Sequence, residues 1–401
     1  MRVLLLTHSY SPEHSPPQRR WTQIIRSFRQ RGWDVDVVAP VAHAPHGRRT
    51  LPKTEAGRAF RRDTGVYGEQ IRRVPYLWHR TTRLGRLADH LFSAACSVPA
   101  ALLGPKPDAV IVTVPSLPIL GAGYLAARLL RTPLVVDMRD AWPDIARDAR
   151  LVPGSAKGLA ERIIMGIQDR AALVVTVTYG FAQTLRDRGL GNVATVSNGV
   201  DVSVRELLMP PPEQSEFLNV LYLGNHGESQ RLDIVIRAAA LARDCVRLSL
   251  VGHGVQRREL IALARELDAP VVFHDPAMGS AEVMEHYRHA DTCVVSLRDD
   301  WKSFETTIPS KTYEVLAVGR HVTGIVLGEA RKIIEESGAG DVVSAHPEKV
   351  AELWRELAAD RSRLLTGTAG RDWVHDNANV DALADAYAEL LTTLVDGVST
   401  P

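Results

Sequence analysis

The sequence predicts an α/β protein of two doubly wound, Rossmann-like domains facing each other across a cleft. Three observations carry this. Short runs of Val, Leu and Ile alternate with amphipathic stretches, as βαβα units do. The apolar runs are continuous, which marks strands covered by helices on both faces of a parallel sheet. The alternation pauses once, around "VSNGVDVSVRELLMPPPEQSEFLN", and then restarts. Pro210–Pro212 make this stretch the expected linker. The expected division is an N-terminal domain over residues 1–205, a C-terminal domain over 206–375 and a closing helix over 376–401.

Each element has its own signal. "VLLL" (Val3–Leu6) is a buried strand. The helix after it carries Trp21, Ile24, Ile25 and Phe28 on one stripe and ends at Gly32. "DVDVVAP", "AVIVTV", "LVVD" and "LVVTV" are the next strands, with a small-residue helix from about Gly121 to Leu130. After the pause come "NVLYLG", a helix near Leu232–Arg243, "VRLSLVGHG", a helix near Arg257–Leu267 and "VVFHD". A helix near Ala281–His289, "TCVVSL", a helix opening at "IPSKTYE", "HVTGIV" and a helix near Glu329–Ser337 follow. "DALADAYAELLTTLV" is an amphipathic last helix.

Composition excludes several classes. The 401 residues are 45% hydrophobic and 24% charged, too apolar for a disordered chain. A formal charge of +1 argues against a generic polyanion binder, so no nucleic acid partner is expected. The charge is uneven: from Gly47 to Arg86, eleven Lys or Arg face three acids, leaving +8 there and −7 elsewhere. Cys96, Cys245 and Cys293 are too far apart for a disulfide framework or a zinc site, so a reducing cytoplasm is expected. No apolar run reaches membrane-spanning length, and the opening run is too short for a secretion signal.

Ligands of doubly wound sheets bind beyond the carboxyl ends of the strands, which makes the following loops the ones that matter. "LYLGNHGES" puts Gly224 and Gly227 after a strand, and "VGHGVQRREL" adds Gly252 and Gly254. Such glycines let backbone N–H groups approach a phosphate, although either loop alone also suits a tight βα turn. "SFETTIPSKTYE" follows a strand of the same domain. Its helix starts near Pro309 or Ser310, where Ser310 is a natural N-cap, and directs free N–H groups towards a diphosphate. Lys311 adds a cation where helix electrostatics alone disfavour one. Glu314 can accept from two vicinal hydroxyls, as a ribose presents, or be an ordinary solvated glutamate.

Taken in order, "VSNGVD", "LYLGNHGESQRLDIVIRAAALA", "LVGHGVQRREL" and "IPSKTYEVLAVGRHV" resemble family 4 glycosyltransferases of the GT-B fold. "THSYSPEHSPPQRR" and "VVDMRDAWPD" fit the bacterial branch that transfers amino sugars in polysaccharide and O-antigen assembly. The resemblance covers nearly the whole chain and is most specific from Leu221 to Gly340. It implies a nucleotide-sugar donor on the second domain, an acceptor on the first, and retaining transfer with neither metal nor cofactor, the UDP-sugar being a co-substrate. It implies Glu314 on the ribose, Lys311 and Ser310 facing the diphosphate, and Gly224, Asn225 and Gly227 near the phosphates. Gly252 and Gly254 join them, Asp275 lies in the loop beside the base, and Glu305 approaches the transferred sugar.

The departures are specific. Eight residues separate Glu305 from Glu314, where the family has seven. Asn225 and Gln230 replace an arginine and a lysine common in the family, leaving Lys311 or Arg231 to supply charge. "DMRD" stands where many members have a histidine, so Arg139 and Asp140 become candidates for sugar contact or acceptor activation, or hold structural roles in the loop. "EHSPPQRR" replaces a double glycine; Arg19 or Arg20 could reach donor phosphate or an anionic acceptor, or the two form a solvated helix face, with His8 and His14 as further candidates. The acceptor can be a glycan, a lipid-linked saccharide or a small molecule. Leu84, Leu87, Leu91 and Ala95 form an apolar stripe beside Arg80, Arg83 and Arg86, which suits either peripheral membrane contact or a core-facing helix. Rival functions are a same-fold sugar-nucleotide epimerase and a nucleotide-binding scaffold without catalysis. A dinucleotide oxidoreductase lacks its glycine fingerprint.

Overall fold

Along β1 (Arg2–Leu6) the side chains alternate between two buried layers: Leu4 and Leu6 enter one, Val3 and Leu5 the other. That two-sided burial is why the strand reads as an unbroken apolar run. The computed structural model describes residues 1–401 except 14, 44–46, 50, 53–56, 81, 115, 142–143, 145–153, 204, 278 and 400–401. His14 therefore lies outside the described residues. The chain forms two units, Met1–Asn198 with Val380–Pro401, and Gly199–Asn379.

The first unit is an eight-stranded sheet in the order β3-β4-β2-β1-β5-β6-β7-β8. Its strands are β2 (Asp34–Pro40), β3 (Arg62–Thr64), β4 (Gln70–Val74), β5 (Ala109–Val114), β6 (Leu134–Met138), β7 (Leu173–Thr176) and β8 (Val193–Thr195). Leu6 lies opposite Val38 on β2 and Val112 on β5, and among the described residues only the β3–β4 pair is antiparallel. One face is covered by α1 (Pro16–Gln30) through Trp21, Ile24, Ile25 and Phe28. Ser15 caps α1 by accepting from Gln18 N, and prolines occupy its first turn. The other face carries α2 (Arg83–Leu102), α3 (Leu117–Leu130), α4 (Gly154–Arg170) and α5 (Tyr179–Asp187).

β4 was hidden in the basic segment. Arg72 donates to Asp36 of β2 at 2.7 Å with both groups buried, and Arg73 pairs with Asp63 at 3.2 Å. Part of the local positive charge is thus neutralised inside the fold.

The second unit is a parallel six-stranded sheet in the order β11-β10-β9-β12-β13-β14. These are β9 (Leu218–Leu223), β10 (Val246–Val251), β11 (Val271–His274), β12 (Thr292–Ser296), β13 (His321–Ile325) and β14 (Gly340–Val342). α6 (Leu232–Leu241), α7 (Arg257–Glu266) and α11 (Pro347–Ala359) bury Ile236, Leu260 and Trp354 on one face. α8 (Ser280–His289), α9 (Ser310–Ala317), α10 (Gly328–Ser337) and α12 (Ala369–Asn377) bury Tyr287, Leu316, Ile334 and Val374 on the other.

Two boundaries differ from the sequence reading. The proline stretch is not a linker but part of the second unit. Leu208 is buried in its core, and Arg320 and Arg361 donate to Met209 O and Pro212 O, both at 2.8 Å. The break therefore falls before Gly199 rather than at 205/206. The last helix, α13 (Val380–Ser399), belongs to the first unit: Ala384, Tyr387, Ala388 and Leu391 complete the layer that α1 begins.

Candidate functional site

In the second unit the strand order reverses between β9 and β12, and the loops leaving these two strands hold most of the expected donor residues. Gly224 follows β9 and its N–H donates to Val251 O at 2.8 Å. A Cβ on Gly252 (φ +137°) would meet Gly224 O at 1.9 Å, and one on Gly254 would meet His226 O at 2.3 Å. The two glycine loops pack backbone on backbone, and that approach requires glycine.

Lys311 crosses to this loop from α9: a Cβ on Gly224 would lie 2.5 Å from Lys311 Cε. The helix cap is Pro309, not Ser310 as expected, so no side chain caps α9. A proline has no side-chain acceptor, and Ser310 is exposed as the first helical residue. First-turn N–H groups, an ammonium and two glycine loops therefore converge on one sheet edge, as an anionic group requires.

Gln230 is a brace for the loop. Its Oε1 accepts from Gly227 N at 3.2 Å, its carbonyl accepts from Ser296 Oγ at 2.7 Å, and Arg298 N donates to Ser229 O. Asn225 is exposed at the tip. Arg231 adopts φ 46° and is tied to Asp233 by two hydrogen bonds of 3.0 and 3.3 Å, leaving Lys311 as the better-placed cation. Asp275 is 94% exposed and meets Arg257 at 3.3 Å.

Glu314 is half-buried on α9, while Glu305 is exposed in a short 3-10 turn, Lys302–Thr306. Gly328 (φ +56°) fixes that turn, because a Cβ there would meet Glu305 O at 1.8 Å. Gly328 escaped the sequence reading although "VLGEA" repeats the glycine-after-strand signal. Arg257 escaped as well: it donates to Gly252 O and His274 O at 2.7 and 2.9 Å and lies over the Phe273 ring. No spacing rule links it to either partner.

In the first unit one expectation fails. Arg20 is buried and structural, donating to Val196 O (2.8 Å), Ser197 O (2.7 Å) and Asp137 (3.3 Å). Asp137 also accepts from Thr113 Oγ1 at 3.0 Å, so the pair clamps α1 to the sheet. Arg19 is exposed beside it. Arg139 is half-buried, and among the described residues its Nε and one terminal nitrogen have no hydrogen-bond partner; burial, with Arg20 nearby, holds its guanidinium down to about 10. Asp140, next to it, is exposed.

Residues 17–199 match the family described as "Glycosyl transferase 4-like domain", and residues 218–360 match "Glycosyl transferases group 1". A protein of Escherichia coli K12, named as the colanic acid biosynthesis glycosyl transferase WcaI, is 24% identical over 390 residues, covering 91% of this chain and 92% of its own. Among solved structures, Anabaena Alr3699/HepE in complex with UDP and glucose superposes with a TM-score of 0.70 at 16% identity, covering 98% of this chain and 100% of its own. Sucrose-phosphate synthase from Thermosynechococcus elongatus gives 0.75 at 15% identity over 99% of both chains.

Proposed function

We propose a specific reaction for this chain, which belongs to the family 4 glycosyltransferases of the GT-B fold: retaining transfer of an N-acetylhexosamine from a UDP-sugar, with no metal at the diphosphate. One observation carries the donor half. Lys311 lies against Gly224 at the point where the second sheet reverses strand order, beside the uncapped start of α9. Fixed N–H dipoles and an ammonium stabilise a leaving diphosphate without a divalent ion. Glu314 takes the ribose hydroxyls and Glu305 the transferred sugar. Arg139, Asp140 and Arg19 serve the acceptor on the first unit. The UDP complex of Alr3699/HepE supports the nucleotide, and the name of WcaI supports an acceptor in polysaccharide assembly.

α2 supports peripheral attachment to the cytoplasmic face of a membrane. Leu84, Leu87 and Leu91 are 80%, 51% and 55% exposed, and Ala95 is also exposed. The small residues Ser93, Ala94, Ser97 and Ala101 face inward instead. A helix with this much outward leucine beside Arg80 and Arg86 suits an anionic bilayer. Among the described residues no helix is long and apolar enough to cross one.

The test is an incubation with UDP-sugars and lipid-linked or free saccharides, without added Mg²⁺ or Mn²⁺, reading the product's anomeric configuration by NMR. Retention is expected. Inversion, or a strict need for added cation, would overturn the mechanism. Conversion of donor alone would instead identify an epimerase, and binding without turnover a scaffold.

A further inference from the structure

The first unit holds a cluster to which the proposed reaction assigns no role. His8 follows β1, His43 follows the adjacent β2, His79 precedes α2, and Asp89 lies on α2. All four are buried. Three imidazole Nε2 atoms converge on one oxygen, Asp89 Oδ2, at 2.9 Å from His43, 3.4 Å from His8 and 3.9 Å from His79. Ligand atoms of His8, His43 and Asp89 all lie within 4.8 Å of one another.

The outer nitrogens fix how the rings are presented. His43 Nδ1 meets Val41 O at 2.8 Å and His79 Nδ1 meets Arg80 O at 3.0 Å; carbonyl oxygens only accept, so both rings donate there. Ser93 Oγ gives its proton to Asp89 O at 2.7 Å, so His8 Nδ1, 3.3 Å away, is the donor to Ser93. Every Nδ1–H is spent on an outer oxygen, and every Nε2 points inward. Metal-bound histidines are held this way, the second ring N–H anchored to an oxygen. His79 Nε2, at 3.9 Å, is beyond hydrogen-bond reach of Asp89 Oδ2, so hydrogen bonding does not account for its inward approach, whereas a shared ion does.

The pocket is built to hold these rings. His43 stacks on Tyr76 with centroids 4.4 Å apart, and Leu77 N donates to Asp89 Oδ1 at 2.8 Å. Gly47 (φ +67°) makes room for His79, whose Nδ1 would lie 2.5 Å from a Cβ there. Tetrahedral zinc with bonds of about 2.0–2.1 Å separates its donors by roughly 3.3–3.4 Å. The three separations from Asp89 Oδ2 bracket that value.

We propose that His8, His43 and Asp89, with His79 as the further donor, form a binding site for a divalent transition-metal ion of the zinc type. Imidazole-rich donors favour Zn²⁺ or Co²⁺ over Mg²⁺, which prefers oxygen. The ion cross-links four separate chain segments of the first unit. Its ligands all belong to that unit, whereas the donor-facing groups above belong to the second, so the ion is separate from the diphosphate site and the metal-independent transfer reading stands apart from it.

The test uses full-length protein dialysed against chelator, titrated with Zn²⁺ by calorimetry and with Co²⁺ by visible absorption. One ion per chain, a higher melting temperature with Zn²⁺ but not Mg²⁺, and four-coordinate Co²⁺ bands are expected. His8→Gln and His79→Gln each should weaken Zn²⁺ at least tenfold, whereas His90→Gln, a ring tilted against His8 with centroids 3.9 Å apart but no ligand, should not. No stoichiometric Zn²⁺ on the wild type, or His8→Gln and His79→Gln variants that bind as tightly as wild type, would overturn the site. Because neither variant touches the His43–Asp89 hydrogen bond, both should fold, with circular dichroism as the check.

Discussion

Glu305 and Glu314 flank one helix start yet differ in setting, one exposed on a turn pinned by Gly328, the other half-buried on α9. Neither caps the helix. Glu305→Gln, at an exposed position, should shift stability by no more than about 0.5 kcal/mol, the range for surface changes. Function should divide. Glu314→Gln should lower UDP affinity by about 1.5–3 kcal/mol, the range for hydrogen bonds to charged groups, as measured by calorimetry. Glu305→Gln should leave UDP binding unchanged and reduce turnover. Equal UDP affinity in Glu314→Gln and wild type would remove the ribose assignment. At this scale the sequence was partly legible. Glycines after strands and Lys311 in a first turn announce an anion site through local chemistry. Arg20 did not announce its burial, because its partners Asp137 and Val196 are more than a hundred residues away and no local pattern encodes them.

Elements were legible where burial was two-sided and obscure where charge was buried. β1, β5 and β9 read as apolar runs because both faces are covered. β4, with the sequence "QIRRV", does not, since Asp36 neutralises Arg72 in the fold and no periodicity reveals the partner. A similar cross-strand pair joins β13 to β14: His321 Nε2 lies 3.0 Å from Asp341, and Arg363 adds a second contact at 2.8 Å. The His321 hydrogen bond first, then Arg363, outweigh burial and hold Asp341 down at about 2 from 3.8. A depressed carboxyl stabilises the fold above its unfolded pKa and loses that contribution as pH falls. Stability should therefore drop between about pH 4 and pH 2, and Asp341→Asn should flatten that part of a pH series of urea midpoints. An unchanged profile in the variant would dismiss the pair as a source of acid lability. For α2, changing Arg80, Arg83 and Arg86 together to Glu should abolish cosedimentation with anionic vesicles while leaving the circular dichroism spectrum intact. Retained binding by that variant would exclude the electrostatic part of the membrane reading.

The whole molecule is two doubly wound units, and that much followed from the repeated βαβα order. Ownership of the last helix did not follow, because an amphipathic stripe says that a face is buried without saying against what. α13 buries Tyr387 and Leu391 completely in the first unit, with Tyr387 against Trp21 and Phe28. Ending the chain at Asn379 should therefore unfold the first unit while the second keeps its UDP-dependent thermal shift. Calorimetry of the truncated protein should show one remaining transition, raised by UDP. Two intact transitions would mean that α13 is dispensable.

The return of α13 also fixes an order of events during synthesis. The chain leaves the first unit at Asn198 and re-enters it at Val380, so the second unit is made as one unbroken stretch in between. At about 5–20 residues per second, the ribosome needs roughly 10–40 s to cross that interval. Throughout it, Trp21, Ile25 and Phe28 lack the surface that finally covers them. The unit encoded second can finish folding first, and the nascent first unit is a natural client for a chaperone until the last helix emerges.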